Sequence, residues 1–463
     1  MHFEQFYLGC LAHASYMLVS EGEAMVVDPQ RDVEIYLEAA QKQNVKIRYI
    51  FETHLHADFV SGHKELAART GATIYIGKAA GATFAHVPIE DGLQLQVGKI
   101  RIDAFETPGH TPESISLVVT DEERSQCPWA VLTGDTLFIG DVGRPDLSKT
   151  HTPQQLAGLM YDSLHQKLLT LPDDVLVYPA HGAGSLCGRN MRAERSSTIG
   201  TERLTNDALQ IKGRDEFIQQ MTSNLPARPD YFLEDAAINR AGATPLTELP
   251  ELKPIAAGEL NDMLAGGAIA LDVRPTDQFA AGHVPGSINI ALSGQFASWA
   301  GAVLGLSARP VLIAETSEQR DEARLRLARV GIEDVAGYLA GGPAAWQQAG
   351  LPMQSLPQIT AQELDSRLRD DTPLVLDVRR ESEWDAAHIS GAECYPLDRF
   401  KASLPPIEPS RPIAVHCKGG YRSVIACSLL QRAGYNNVIN VLGGFDAWLN
   451  AQLPAETRAV VST

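Results

Sequence analysis

Two stretches of the chain hold reactive side chains at spacings suited to chemistry. The first is Thr53-His54-Leu55-His56-Ala57-Asp58-Phe59, directly after the apolar run IRYIF. At a strand end alternate residues project to one side, so His54 and His56 share a direction and Asp58 can join or orient them. Three later segments repeat one arrangement, a polar ligand type at the mouth of a β-rich run. They are Thr107-Pro108-Gly109-His110-Thr111, Thr133-Gly134-Asp135-Thr136 and Pro179-Ala180-His181-Gly182. Imidazoles and carboxylates in this combination suit a divalent metal. The second stretch is Val415-His416-Cys417-Lys418-Gly419-Gly420-Tyr421-Arg422-Ser423, between a strand pattern and a helix pattern. A thiol there faces loop N–H groups and the positive end of a helix, both of which stabilise thiolate. Arg422 adds a fork for oxyanions and Lys418 a further positive charge.

The elements that position these groups are short β-rich runs alternating with helical patterns. In the first 250 residues the runs AMVVD, IRYIFETH, ATIYIG, ISLVVT and DVLVYPA predict strands, and DVEIYLEAAQKQ, HKELAART and TPQQLAGLMYDSL predict helices. The segment NLPARPDYFLEDAAINRAGATPL reads as a loop packed against neighbouring domains. His63 reads as a solvated helix residue, His13, His86 and His151 as structural, and Asp28-Pro29 as a strand-end turn without a catalytic role.

The second half contains a repeat. LDVRPTDQFAAGHVPGSINI at 271–290 matches LDVRRESEWDAAHISGAECY at 376–395, pairing Asp272 with Asp377, Arg274 with Arg379, His283 with His388 and Gly286 with Gly391. PVLIAETSEQRDEA at 310–323 then aligns with PIAVHCKGGYRSVI at 412–425, and GGPAAW at 341–346 with GGFDAW at 443–448. Each copy predicts a small α/β domain with a largely parallel sheet, its helix after the VLIA or IAVH strand closed by Gly331 or Gly434. Pro-containing linkers near 249–259 and 351–360 divide the chain into residues 1–250, 251–353 and 354–463.

The ordered set H-x-H-x-D, G-H-T, G-D-T and P-A-H-G resembles the metallo-β-lactamase superfamily, which implies an αββα sandwich over residues 1–250 with its metal at one sheet edge. Dinuclear hydrolases of that superfamily read H-x-H-x-D-H, where the last His helps to hold a second metal; here that position is Phe59. Carried over residue by residue, the resemblance implies one metal held by His54, His110 and Asp135, with His56, Asp58 and His181 orienting ligands, water or substrate. Two imidazoles and a carboxylate suit one Fe(II) per chain, and the variant resembles the persulfide dioxygenases. GDTLFIGDVGRPDL carries their G-R-x-D element, so Arg144 is expected to hold a substrate carboxylate, or else to pair with Asp141 or Asp146. Cys187 reads as a small buried filler.

LDVR, the A-x-H-I-x-G-A segment, C-x-x-G-x-R-S and GG-x-x-A-W resemble the rhodanese fold over roughly 357–452. The resemblance implies that Cys417 accepts sulfane sulfur with Arg422 as its catalytic partner, and that Lys418, Gly419, Gly420, Tyr421 and Ser423 bind the substrate. Cys394 and Cys427 read as core. In the middle copy the residue aligned with Cys417 is Glu315, which cannot accept sulfur, so that domain is expected to be silent.

The expected fold class is therefore α/β, an αββα sandwich followed by two rhodanese-like domains. The length of 463 residues suits about three domains. A net charge of −18 disfavours nucleic acid and membrane surfaces as partners. No apolar run approaches the roughly 18 residues of a membrane span, and the N-terminus is a poor signal peptide. Six scattered cysteines without a C-x-x-C pair point to a reducing cytoplasm. Expected partners are a small-molecule persulfide such as glutathione persulfide, O2, and sulfite or thiosulfate, in a homo-oligomer. The alternatives are a zinc thioester hydrolase of the glyoxalase II type fused to a sulfurtransferase, and a persulfide-sensing scaffold.

Overall fold

A computed structural model describes residues 1–463 apart from 224, 226, 370–372 and 458–463. The chain forms two compact units, Met1–Leu249 with Ala328–Gly331, and Pro250–Leu327 with Ile332–Thr463.

In the first unit the period-two alternation of the strands builds four layers. One six-stranded sheet runs in the order His2–Leu8, His13–Ser20, Glu23–Val27, Lys46–Glu52, Thr73–Gly77, Val87–Ile89. Its first three strands are antiparallel and the rest parallel. A second six-stranded sheet contains Ile100–Glu106, Ile115–Asp121, Ala130–Gly134 and Leu176–Pro179 as its central strands. Tyr16, Leu18, Met25 and Val27 turn inward and meet Leu117, Val119 and Leu132 of the facing sheet. Their neighbours Met17, Val19, Ala24 and Val26 turn outward against Tyr36 and Leu66 of helices Glu34–Gln43 and His63–Thr70. On the other side Val118, Val131 and Val177 pack on Ala157, Met160 and Leu164 of helix Pro153–Gln166. Because successive side chains of a strand face opposite ways, one apolar run per strand supplies both cores. The result is the expected αββα sandwich.

Two sequence expectations fail here. The segment read as a loop contains the ten-residue helix Phe232–Ala241; its residues Asn224 and Pro226 lie outside the described part. His63 is fully buried rather than solvated, with its ring 4.6 Å from that of Phe84 and Nδ1 3.5 Å from a Glu52 carboxylate oxygen.

In the second unit the repeat is visible as two five-stranded sheets of the same strand order. One is Pro254–Ile255, Gly337–Leu339, Val311–Ile313, Ala270–Asp272, Ile288–Asn289, and the other is Gln358–Ile359, Val438–Val441, Ile413–His416, Leu374–Asp377, Glu393–Cys394. All these pairings are parallel, as expected for strands joined through helices. The matched residues of the repeat hold this fold. Arg274 grips Asp272 and Arg379 grips Asp377, each at 2.6 Å between Nη2 and Oδ2. His283 stacks on Phe279 at 3.8 Å and His388 on Trp384 at 3.6 Å between centroids. Trp346 and Trp448 each donate Nε1–H at 2.9 Å to a proline carbonyl six residues on.

Candidate functional site

Strand ends of the sandwich bring His54, His110 and Asp135 together, with ligand atoms from all three within 4.8 Å of one another. Nε2 lies 3.8 Å from Asp135 Oδ2 for His54 and 3.4 Å for His110. Both Nε2 atoms are buried without a hydrogen-bond partner. The Nδ1 atoms are occupied: that of His110 is 2.9 Å from the Arg144 carbonyl, and that of His54 is 3.0 Å from Thr53 Oγ1. Donation from Nδ1 leaves the Nε2 lone pairs aimed at the shared space, the tautomer a metal ligand requires. Burial first of all pushes both imidazoles below the usual histidine range. The donors fit a divalent metal.

The loops that carry these ligands are tied to one another. Thr136 Oγ1 donates to the Thr107 carbonyl at 3.1 Å, joining the G-D-T and T-P-G-H-T segments. Gly143 explains one glycine of GDVGRPDL: a Cβ there would lie 2.1 Å from the Asp135 carbonyl and 2.7 Å from His110 Nδ1. His181 sets Asp135 from behind, with Nδ1 2.9 Å from Oδ1, while its Nε2 lies 2.9 Å from Asp58 Oδ2. Burial opposes a charge on His181, but Asp135 and Asp58 override it and hold its pKa well above the usual value. The Asp135 pKa lies well below the carboxylate range despite burial, through His181 and then His54.

His56 packs its ring 4.1 Å from that of His54 and directs its Nε2 to two carboxylates. Its Nε2 is 3.1 Å from Asp28 Oδ1 and 3.7 Å from Glu52 Oε2. Asp28, read from sequence as a plain turn residue, thus backs two histidines. It also accepts from Thr53 Oγ1 at 2.8 Å and from the Thr53 N–H at 2.7 Å. Asn239, on the helix that sequence reading missed, donates Nδ2–H at 2.8 Å to the carbonyls of both His56 and Phe59. Its only sequence signal is a lone Asn in a helical segment. Phe59 is fully buried, its ring 4.1 Å from that of His13 and 4.4 Å from that of His56. Cys187 lies beside Asp58 and His181. Burial, then the Asp58 and Asp135 charges, pushes its thiol well above the usual range. Arg144 does not present an open fork: Nε and Nη2 grip both oxygens of Asp146 at 2.6 and 2.8 Å.

In the last domain Cys417 is 1% exposed, and its Sγ accepts the Gly420 N–H at 3.1 Å. Ser423 Oγ lies 3.7 Å from Sγ and is anchored 2.7 Å from Asn440 Oδ1. The carbonyls of Cys417 and Lys418 accept from the N–H groups of Phe445 and Asp446 at 2.7 and 3.0 Å. The GGFDAW segment therefore ties down the loop carbonyls, and the Gly420 N–H faces the sulfur. Lys418 and Gly419 are exposed at the rim. The expected catalytic partner Arg422 and the expected substrate group Tyr421 are both otherwise engaged. Arg422 is paired at 2.7 and 2.8 Å with both oxygens of Glu383, and the Tyr421 hydroxyl donates to the Ala291 carbonyl at 2.7 Å. Burial raises the thiols of Cys394, to about 11, and of Cys427. In the middle domain Glu315 is 45% exposed and lies 3.8 Å from Arg274 Nη1.

Fold and geometry together define a metal-binding αββα domain joined to a paired α/β module with one cradled thiol. The metallo-beta-lactamase superfamily model matches residues 8–181, and the rhodanese-like domain model matches 256–349 and 360–451. A bovine protein, persulfide dioxygenase ETHE1, mitochondrial, is 33% identical over 211 residues, 44% of this chain and 73% of that protein. An Arabidopsis thaliana hydroxyacylglutathione hydrolase is 35% identical over 245 residues, 50% of this chain and 85% of that protein. A crystal structure of a metallo-beta-lactamase from Staphylococcus aureus aligns with a TM-score of 0.66 at 32% identity, over 73% of this chain and 98% of that one. The chain belongs to the metallo-β-lactamase superfamily, with an N-terminal domain homologous to persulfide dioxygenase ETHE1 followed by two rhodanese-like domains. No helix among the described residues is long and apolar enough to cross a membrane.

Proposed function

We propose that the N-terminal domain is an Fe(II)-dependent persulfide dioxygenase and that the last domain transfers sulfane sulfur through Cys417. The observation that carries the first half is the donor set of two buried, unpartnered imidazole Nε2 atoms beside the Asp135 carboxylate. Homology to persulfide dioxygenases supports the same reading. His54, His110 and Asp135 would hold one iron per chain, and three such donors leave positions open for both reactants. Iron there would supply the redox chemistry that couples O2 to sulfur oxidation. In the overall balance one persulfide, one O2 and one water give one thiol, one sulfite and two protons. The protein's part is positional. The Arg144 carbonyl sets His110, Thr53 and Asp28 set His54, and His181 fixes Asp135.

At the second site the Cys417 thiolate attacks the outer sulfur of thiosulfate, forming Cys417 persulfide and releasing sulfite. A thiol or cyanide then takes that sulfur and restores the thiolate. The Gly420 N–H and the helix N-terminus stabilise the anion in both states. The domains share sulfite and persulfide, so fusion raises the effective concentration of a reactive intermediate. Glutathione persulfide or a similar small persulfide is the proposed substrate, in a reducing cytoplasm.

A zinc thioester hydrolase is the second reading, favoured by the similarity to hydroxyacylglutathione hydrolase. Anaerobic titration of the metal-free protein separates the two. One Fe(II) per chain is the expected endpoint, and two zinc ions per chain would support the hydrolase. In the same titration Thr53→Val removes the acceptor of His54 Nδ1–H and should weaken iron binding about 10- to 100-fold. Unchanged affinity would contradict the role given to Thr53.

A further inference from the structure

The middle domain has lost its nucleophile yet keeps the LDVR motif, and its contacts indicate what that motif now supports. Helix Tyr421–Arg432 begins at the Cys417 loop and is held along its length by the segment between Gly286 and Gly294. At its start the Tyr421 hydroxyl donates to the Ala291 carbonyl at 2.7 Å. The Tyr421 ring lies directly on Gly294, where a Cβ would come within 2.5 Å of it. In mid-helix the fully buried Ser428 Oγ accepts the Asn289 N–H at 3.1 Å. At its end Arg432 donates to the carbonyl of Gly286 at 2.8 Å and to those of Gly267 and Ala268 at 3.1 Å.

The bracing segment is itself fixed. Asn289 Nδ2 donates at 3.0 Å to the carbonyls of Asp272 and Arg274, the first and last residues of the retained D-V-R motif. Arg326 Nη2 donates to the Gly294 carbonyl at 2.8 Å and Nη1 to that of Leu292 at 2.5 Å. Only the glycine at 294 leaves room for an aromatic ring at 421, so the two positions fit as a pair.

We propose that the silent middle domain is a brace for the sulfur-transfer loop, and that Tyr421 is a positioning residue docked on Ala291 and Gly294 rather than a substrate ligand. This rests on the reading of Cys417 as the sulfur-accepting thiol. Tyr421 lies four residues after Cys417 and one after Gly420, whose N–H meets the sulfur. A shift of its ring therefore moves the N–H cradle, with Cys417 itself unaltered.

The test uses the full chain carrying Tyr421→Phe, Tyr421→Ala, Gly294→Ala, and the last two combined. Steady-state transfer from thiosulfate to cyanide and the rate of Cys417 alkylation by iodoacetamide, followed by peptide mass, are measured for each. Gly294→Ala forces the ring off its seat and should lower kcat roughly tenfold, with KM for thiosulfate within about twofold. Tyr421→Phe keeps the ring, loses one hydrogen bond and should cost about fivefold. The combined variant should be no slower than Tyr421→Ala alone, because removing the ring removes the clash. Alkylation should fall in the same order. A raised KM at unchanged kcat, multiplicative losses in the combined variant, or wild-type values throughout would overturn the proposal. Should the unaltered protein transfer no sulfur, the sulfurtransferase reading fails, and the order of alkylation rates still decides for or against the brace.

Discussion

Cys417→Ser should abolish cyanide-dependent sulfur transfer from thiosulfate, by at least about 10³-fold in kcat/KM, while oxygen uptake with persulfide remains. A serine hydroxyl is far less acidic than a thiol and forms no persulfide, so no slower version of the same route is left. No other cysteine of that domain substitutes for it. Cys394 and Cys427 are held as neutral thiols by burial, and the equivalent position of the middle domain is the carboxylate of Glu315. Transfer that survives this substitution would contradict the assignment of the middle domain as silent. Mass analysis after exposure to thiosulfate checks the same point directly, with one added sulfur on the unaltered protein and none on the variant.

The converse holds for His110→Ala. Removing one of three proposed ligands should lower iron content and oxygen uptake by at least about 10²-fold, since loss of a partner outside the ligand set already costs 10- to 100-fold. Sulfur transfer at Cys417 should persist. His110 is the sharpest choice among the ligands because its imidazole is fully buried and fixed through Nδ1 to a backbone carbonyl, so truncation removes a donor while His181 still holds Asp135. Oxygen uptake and thiocyanate formation measured on one preparation read both activities, and loss of both in either variant would argue against independent sites.

The parts legible in the sequence are those in which residue type and spacing alone define the geometry. Continuous apolar runs mark the strands that feed both cores, while the sandwich itself is implied by the resemblance that the histidine and aspartate segments carry. The repeat could be read because Asp272–Arg274 and Asp377–Arg379 close the same buried ion pair in both copies. His54, His110 and Asp135 stand out because each follows a strand in a recognisable segment. What was missed depends on partners distant in sequence. Arg422 reads as a fork for oxyanions, and nothing near it in sequence reveals that Glu383, 39 residues away, fills it, whereas the pairing of Arg144 with Asp146 is one of the two readings its own segment offers. His63 was read as exposed because its helix HKELAART is largely polar. That helix instead turns Glu65 inward, where its carboxylate accepts the Leu246 N–H at 2.7 Å. Asp28 and Asn239 act through backbone and hydroxyl contacts to the histidine loop, and such roles leave no mark on composition or periodicity.

The measurement that bears most directly on the central claim is oxygen consumption by protein reconstituted anaerobically with one equivalent of Fe(II), on addition of glutathione persulfide. Uptake of one O2 per persulfide is expected, with sulfite formed in equal amount, and none from metal-free or zinc-loaded protein. No uptake by folded, iron-loaded protein, together with hydrolysis of a glutathione thioester by the zinc form, would contradict that claim.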